Sequence, residues 1–265
     1  MPRGRVTYRS GGGLALLTLS SPPANGYSHD MMRDLDEAIL RARFDDAVQV
    51  IVLAGAGEKF FCAGADIAML HKVEPGFKYH FCLHANETLL RLEHTPKLVI
   101  AALGGHCVGG GLEIALACDL RLARKGSGKC GLPEVTLGVL PGTGGTQRLG
   151  RVVGKGKAIE LMATGRLFDY EEARVLGIVH ELREAPDEAS FVQQVLEYGL
   201  SFCTPRKAAM AVGAMKRAVQ TGWEIPLESA LALERELQAR LFASEDSREG
   251  IAAFVEKRPG VFQGH

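Results

Sequence analysis

A chain of 265 residues with 31 basic and 31 acidic side chains carries no formal net charge, a balance that speaks against a nucleic-acid partner or an anionic membrane surface. The length suffices to bury a large core. Six cysteines without a CxxC spacing point to reduced thiols in a cytoplasmic setting and to no metal site.

Arg3, Arg5 and Arg9 precede only the short apolar run Leu14 to Leu19, which Pro22 and Pro23 close, so this end fits neither a secretory leader nor a membrane span. Val6 to Arg9 and Leu14 to Leu19, joined by Gly11, Gly12 and Gly13, predict a β-hairpin. Helical periodicity runs from His29 to Phe44, with Met31, Leu35, Ala38, Ile39 and Ala42 on one face and Asp34, Asp36, Glu37 and Arg41 mostly on the other. Val48 to Ala54 is a continuous apolar run of strand length.

The following GAGEKFFCAGAD fails as a dinucleotide fingerprint, because Phe60 stands at the third glycine position. Two readings stay open for it: an ordinary turn, or a loop whose small residues Ala63, Gly64 and Ala65 present backbone amides to a ligand. His71 to Tyr79 has no clear pattern and reads as a loop, followed by a helix from about Phe81 to Glu93. Strands are predicted at Leu98 to Leu103 and Leu120 to Ala123, giving an α/β layer architecture.

Between those strands lies GGHCVGGGLEIALACD, Gly104 to Asp119, in which Gly109 to Gly111 form a turn before a short apolar helix. Its one charge, Glu113, has only apolar neighbours, so it is either paired or has a raised pKa and serves proton transfer. Glu134 follows Pro133 in a second glycine-rich segment, GLPEVTLGVLPGTGGTQRLG. Two amide-presenting turns and two acids suit acid–base chemistry beside a polarised carbonyl. Glycine at 110 is expected for access and backbone geometry.

Beyond Leu182 the pattern is helical: Lys157 to Thr164 and Asp169 to Leu176 precede it, then Phe191 to Phe202, Pro205 to Val219, Pro226 to Phe242 and Ser247 to Val255. Pro205 and Pro226 are expected in first helical turns. Such a tail suits either a lid or a surface for self-association.

CAGAD at Cys62 to Asp66, the Gly104 to Asp119 block and GLPEVTLGVLPGTGGTQRL at Gly131 to Leu149 resemble the signature blocks of the enoyl-CoA hydratase/isomerase, or crotonase, family. The likeness extends to DSREGIAAFVEKR, Asp246 to Arg258. The resemblance implies a crotonase-like spiral of repeated β-β-α units over 1–190 carrying the active site, and a C-terminal helical trimerisation region over 191–265. It implies an acyl-CoA thioester substrate, of which coenzyme A is a part, and no separate cofactor. It further implies a homotrimer or dimer of trimers.

Carried onto this sequence, Ala65 and Gly110 match the amide donors of an oxyanion hole, and Glu113 and Glu134 the catalytic glutamates. Possession of both acids favours hydration of trans-2-enoyl-CoA to 3-hydroxyacyl-CoA over double-bond isomerisation, and over a non-enzymatic or RNA-binding member of the fold. Ala24, Ala63, Asp66, Ile67 and Ala68 fall on the CoA path, and Phe254 and Lys257 where the last helix reaches the nucleotide, from a neighbouring subunit or its own. Ala68 departs from the lysine common there, which leaves Lys59, Lys72 or Lys257 as phosphate partners. The acyl range is expected to depend on whether Phe77, Phe81 and Leu83 plug the pocket.

Overall fold

The computed structural model describes residues 5–265, so Arg3 lies outside the described residues. Strands β1 (Val6–Gly11) and β2 (Leu14–Leu19) form the antiparallel hairpin, and helix α1 (His29–Phe44) leads to β3 (Val50–Gly55). The Ser28 side chain caps α1 by accepting the Met31 amide at 3.3 Å, satisfying one of the first-turn donors that a helix leaves open. Asp34, expected on the polar face, is buried and accepts the Arg5 amide at 2.9 Å.

From β3 onward the chain repeats one move: a strand in a large sheet, a three-residue strand in a small sheet, then a helical segment. The first turn of this spiral is β3, β4 (Phe60–Cys62), α2 (Ile67–Leu70) and α3 (Pro75–Glu93). The second is β5 (Leu98–Leu103), β6 (His106–Val108) and α4 (Gly110–Leu116). The third is β7 (Leu120–Arg124), β8 (Lys129–Gly131), a 3-10 turn at Glu134–Leu137, and helices α5 (Gly145–Val153) and α6 (Lys155–Thr164). β9 (Phe168–Asp169), α7 (Tyr170–Val175) and β10 (Glu181–Arg183) close it. The large sheet has the order β1-β2-β3-β5-β7-β10, parallel from β2 onward, and the small one β4-β6-β8-β9. Parallel strands covered on both faces need apolar residues at every position. Accordingly Ile51, Leu53, Val99 and Ala101 enter the main core, while Val50, Val52, Ile100 and Ala102 face a second cluster on the other side.

Helix α8 (Glu188–Leu200) covers that second face with Phe191 and Val195, both fully buried. Beyond it, α9 (Ala209–Gly222) and α10 (Leu227–Phe242) pack chiefly on each other, and α11 (Glu245–Glu256) ends the helical tail.

Several boundaries differ from expectation for local reasons. Helix α3 starts at Pro75 rather than Phe81, because its first turns are solvent-exposed and carry no apolar stripe; proline at the first position was the only signal. Pro226 is the residue before α10 and Pro205 lies in the turn before α9, so neither sits inside a first turn. The cap of α11 is Ser244, whose hydroxyl accepts the Ser247 amide at 3.1 Å. Among the described residues no helix is long and apolar enough to cross a membrane, and no group of His, Cys, Asp or Glu is arranged to hold a metal ion.

One ion pair fastens α9 to the core. Lys216 Nζ lies 2.8 Å from Asp119 Oδ2, with the two side chains 4% and 11% exposed, and it also donates to the carbonyls of Leu92 and Lys97. Removing the cation leaves a buried carboxylate uncompensated, which typically costs about 3–5 kcal/mol. Lys216→Met is therefore expected to lower the stability read from urea unfolding by about that amount, and Asp119→Asn in the same chain to recover part of it.

Candidate active site

The loop after β4 is held by backbone bonds to residues 24–27. Ala63 donates to Ala24 O at 3.0 Å, Tyr27 donates to Gly64 O at 2.9 Å, and Asp66 donates to Tyr27 O at 3.0 Å. The last two bonds straddle Ala65, and among the described residues no acceptor in the chain takes its N–H. Gly64 has φ +89°, a left-handed backbone that favours glycine.

Across from it, Gly109 (φ +57°) turns the chain from β6 into α4, and its carbonyl accepts the amides of Leu112 and Glu113. The Gly110 N–H is one of the first-turn donors that a helix leaves open, and it too has no acceptor in the chain among the described residues. A Cβ on Gly64 would stand 3.1 Å from Gly110 N, so the two loops meet glycine against glycine and their free amides are neighbours. Glycine at 110 has a steric cause besides access. Its φ is not positive; a Cβ there would stand 2.0 Å from the Tyr27 ring.

Glu113 lies in the first turn of α4 and is 1% exposed. Its Oε1 accepts two backbone amides, from Thr143 and from Gly145, each at 2.7 Å. Burial pushes its pKa above the ordinary carboxyl range, while those amide bonds and the Arg148 charge pull the other way. Arg148 is itself fixed by Glu93 at 2.6 Å and by the Thr143 carbonyl at 3.0 Å.

Glu134 opens the 3-10 turn after Pro133. Its Oε2 is buried without a partner. Burial, and secondarily the charge of Glu113, push its pKa up to about 7, against its own backbone amide and the opposing charge of Lys78. Burial thus raises both acids, Glu113 against backbone donors and Glu134 with its Oε2 left without a partner.

Both acids, with Ala63, Ala65, Ile67 and Gly110, line one cavity of about 580 Å³. Its remaining wall is mainly apolar, from Leu70, Val73, Val108, Val139 and Leu140, with Lys78 at the side. Phe77, Phe81 and Leu83 do not line it; Phe81 is buried against Tyr27 and Phe77. Ala24 shapes the site through its carbonyl, Asp66 caps α2 by accepting the Met69 amide at 3.1 Å, and Ala68 is exposed on that helix. Phe254 and Lys257 are exposed on and just after α11 and do not line the cavity of their own chain.

The family model described as enoyl-CoA hydratase/isomerase matches residues 9–265. The chain belongs to that family. It is 36% identical over 97% of its length to the short-chain-enoyl-CoA hydratase of Clostridium acetobutylicum, covering 97% of that protein. It is 35% identical to the mitochondrial methylglutaconyl-CoA hydratase of Mus musculus, covering 91% of this chain and 76% of the other. The crystal structure of an enoyl-CoA hydratase from Geobacillus kaustophilus superposes with a TM-score of 0.95 at 41% identity, covering 100% of this chain and 98% of that one. The spiral of β-β-α units with its helical C-terminal region is therefore the crotonase fold.

This crotonase also uses residues that the sequence reading passed over. Thr143 and Gly145 hold Glu113, and Tyr27 bonds Thr143 Oγ1 through its hydroxyl at 2.7 Å. None is charged, and each is distant in sequence from the group it serves. The available signal is the glycine-rich segment around Gly142, Gly144 and Gly145, which opens α5.

Glu134 has a stability signature of its own. A carboxyl whose folded pKa is raised from 4.5 to about 7 binds a proton in the folded state that the unfolded chain has already lost. Its contribution to stability is then present below the unfolded value and lost as pH rises through the folded one. Glu134→Gln, which mimics the protonated acid, should raise Tm relative to wild type at about pH 8 and have little effect at about pH 4, read by calorimetric scans across that range.

Proposed function

We propose that this protein adds water across the double bond of a trans-2-enoyl-CoA, forming the 3-hydroxyacyl-CoA. The observation that carries the reading is the placing of two carboxyls, one held by two backbone amides and one with a pKa near neutrality, in the same cavity as two unclaimed amides. The thioester oxygen sits between the N–H groups of Ala65 and Gly110. Negative charge drawn onto that oxygen makes C3 electrophilic, and each such donor is typically worth about 3–4 kcal/mol in the transition state.

Water rests between the two acids. Glu113, ionised and held through Oε1, takes a proton from the water as its oxygen bonds to C3. The electron pair of the double bond moves to the thioester, giving an enolate that the two amides stabilise. Glu134, with its pKa near 7, gives its proton to C2. One hydrogen and one hydroxyl have then been added, and transfer of the proton from Glu113 to Glu134 resets the pair. The apolar wall of Leu70, Val73, Val139 and Leu140 accepts the hydrocarbon chain, and coenzyme A enters as part of the substrate.

Assembly belongs to the same reading. Trp223, Leu227 and Phe242 are 80%, 73% and 64% exposed on or beside α9 and α10, apolar side chains that a neighbouring chain would cover. A homotrimer, or a dimer of trimers, buries this surface. The neighbour's α11 then supplies Phe254 and Lys257 to the nucleotide part of the substrate. The oligomerisation region is taken as the tail from 191, over a core of 1–190, with α8 as the piece that docks it onto the large sheet. Trp223→Glu combined with Leu227→Glu is expected to shift the mass from light scattering to the monomer; an unchanged oligomer excludes this surface.

Glu113→Gln and Glu134→Gln should each keep acyl-CoA binding and lose about 10²- to 10⁴-fold in kcat, assayed with purified enoyl-CoA thioesters of straight and branched chain. Product mass decides the reaction: addition of water is expected, and a product of unchanged mass means double-bond isomerisation instead.

A further inference from the structure

Tyr27 touches all three working parts of the site, and we propose that it is the positioning residue of the centre, setting the two amide donors and the loop that holds Glu113 in one geometry. The roles of those groups rest on the hydration reading above. Three separate contacts of one residue carry the proposal. Its backbone N–H and C=O bond Gly64 and Asp66, on either side of Ala65. Its ring lies on Gly110, so closely that a Cβ at that position would stand 2.0 Å from Cε1. Its hydroxyl bonds Thr143 Oγ1 at 2.7 Å, and the amide of the same Thr143 donates to Glu113 Oε1 at 2.7 Å.

A tyrosine with a buried hydroxyl needs a partner in any fold, and Tyr170 supplies the comparison. It is fully buried and donates to the Gly105 carbonyl away from the cavity, which is packing. Tyr27 differs because Gly64 and Gly110 line the cavity, Asp66 adjoins Ala65, which lines it too, and Thr143 holds Glu113 there. It does not act as an acid or base itself: burial, then the charge of Glu113, push the phenol well above its ordinary range, so its proton stays in place. Glu113 is also faced by Arg148 from α5 and by Glu134 from the 3-10 turn, and neither of those charges changes when Tyr27 is altered.

Tyr27→Phe keeps the ring and removes only the bond to Thr143. With crotonyl-CoA as substrate, kcat is expected to fall about fivefold to tenfold, the usual net worth of one hydrogen bond, with KM within about twofold of wild type. Because the Thr143 amide holds the Glu113 pKa down, loosening that loop should move the acidic limb of the kcat profile to higher pH. Thr143→Val should produce the same limb shift, and the double variant should be less than additive. Tyr170→Phe, which removes an equally buried hydroxyl, should lower Tm and leave the limb unmoved. Tyr27→Leu, which also frees Gly110, should weaken binding of butyryl-CoA measured by calorimetry, after circular dichroism has established a native fold.

Wild-type kcat and an unmoved acidic limb in Tyr27→Phe would overturn the proposal, as would full additivity with Thr143→Val. Failure of the wild type to hydrate crotonyl-CoA would remove the hydration reading alone. The butyryl-CoA arm then still decides the positioning role, and unchanged affinity in a folded Tyr27→Leu would end it.

Discussion

The site depends on a carboxyl that has been taken out of water. Glu113 sits in a helix whose residues are all buried, and an ionised carboxylate in such surroundings is untenable unless donors meet it there. The donors are the backbone amides of Thr143 and Gly145, so the segment between the 3-10 turn and α5 must fold back over α4. That requirement explains why a glycine turn opens α5: a Cβ on Gly145 would stand 3.0 Å from Glu113 Oε1 and 2.9 Å from Pro141. The return of the loop also brings Glu134 to the same cavity, because it lies on the path between β8 and α5. One desolvated charge thereby fixes the course of about a turn of the spiral.

The second constraint is steric. Gly64 stands against Gly110, Gly109 against Glu134, Gly110 against Tyr27 and Gly111 against Cys62, each with a would-be Cβ closer than an ordinary contact. Packing of this kind lets two backbone segments approach until their free amides are neighbours. Gly64 and Gly109 both have positive φ, a backbone that glycine adopts without steric cost. Ala65 and Gly110 line the cavity, so their amides, without a partner in the chain among the described residues, are open to an acceptor from solvent or a ligand.

Much of this was legible in residue pattern. The hairpin, α1, β3, β5 and β7 carry long apolar runs or clear periodicity, and the structure has them where expected. Strands β4, β6 and β8 were not legible, because three residues are too few to show alternation; they are strands only because parallel neighbours pair with them. Glu113 stood out as a charge where the apolar pattern allows none, and Glu134 by its place after Pro133 in a glycine-rich segment. Tyr27 and Thr143 did not stand out, since an aromatic and a hydroxyl residue in loops have many bland explanations, and their meaning lies in contacts across 116 positions of chain. Asp66 and Ala68 are one and three residues from Ala65, yet neither lines the cavity: Asp66 caps α2 and Ala68 is exposed on it. Ile67 and Leu70 of the same helix do line it, so the helix face and not the sequence distance decides which residues reach the cavity.

The difference between the two acids has a consequence for the order of events. Burial raises the pKa of both acids, but at Glu113 fixed backbone donors oppose the rise, whereas Glu134 has one oxygen lacking any partner. An acyl chain entering the cavity expels water, which strengthens the penalty on a charged Glu134 and leaves the amide bonds of Glu113 intact. On the hydration reading proposed above, filling the site with substrate therefore favours the protonated form of Glu134 more than that of Glu113, a division of labour that water addition would use. The apolar wall on the acyl side then has two effects, holding the chain and setting the proton inventory, and a shorter chain that leaves water behind sets it less firmly.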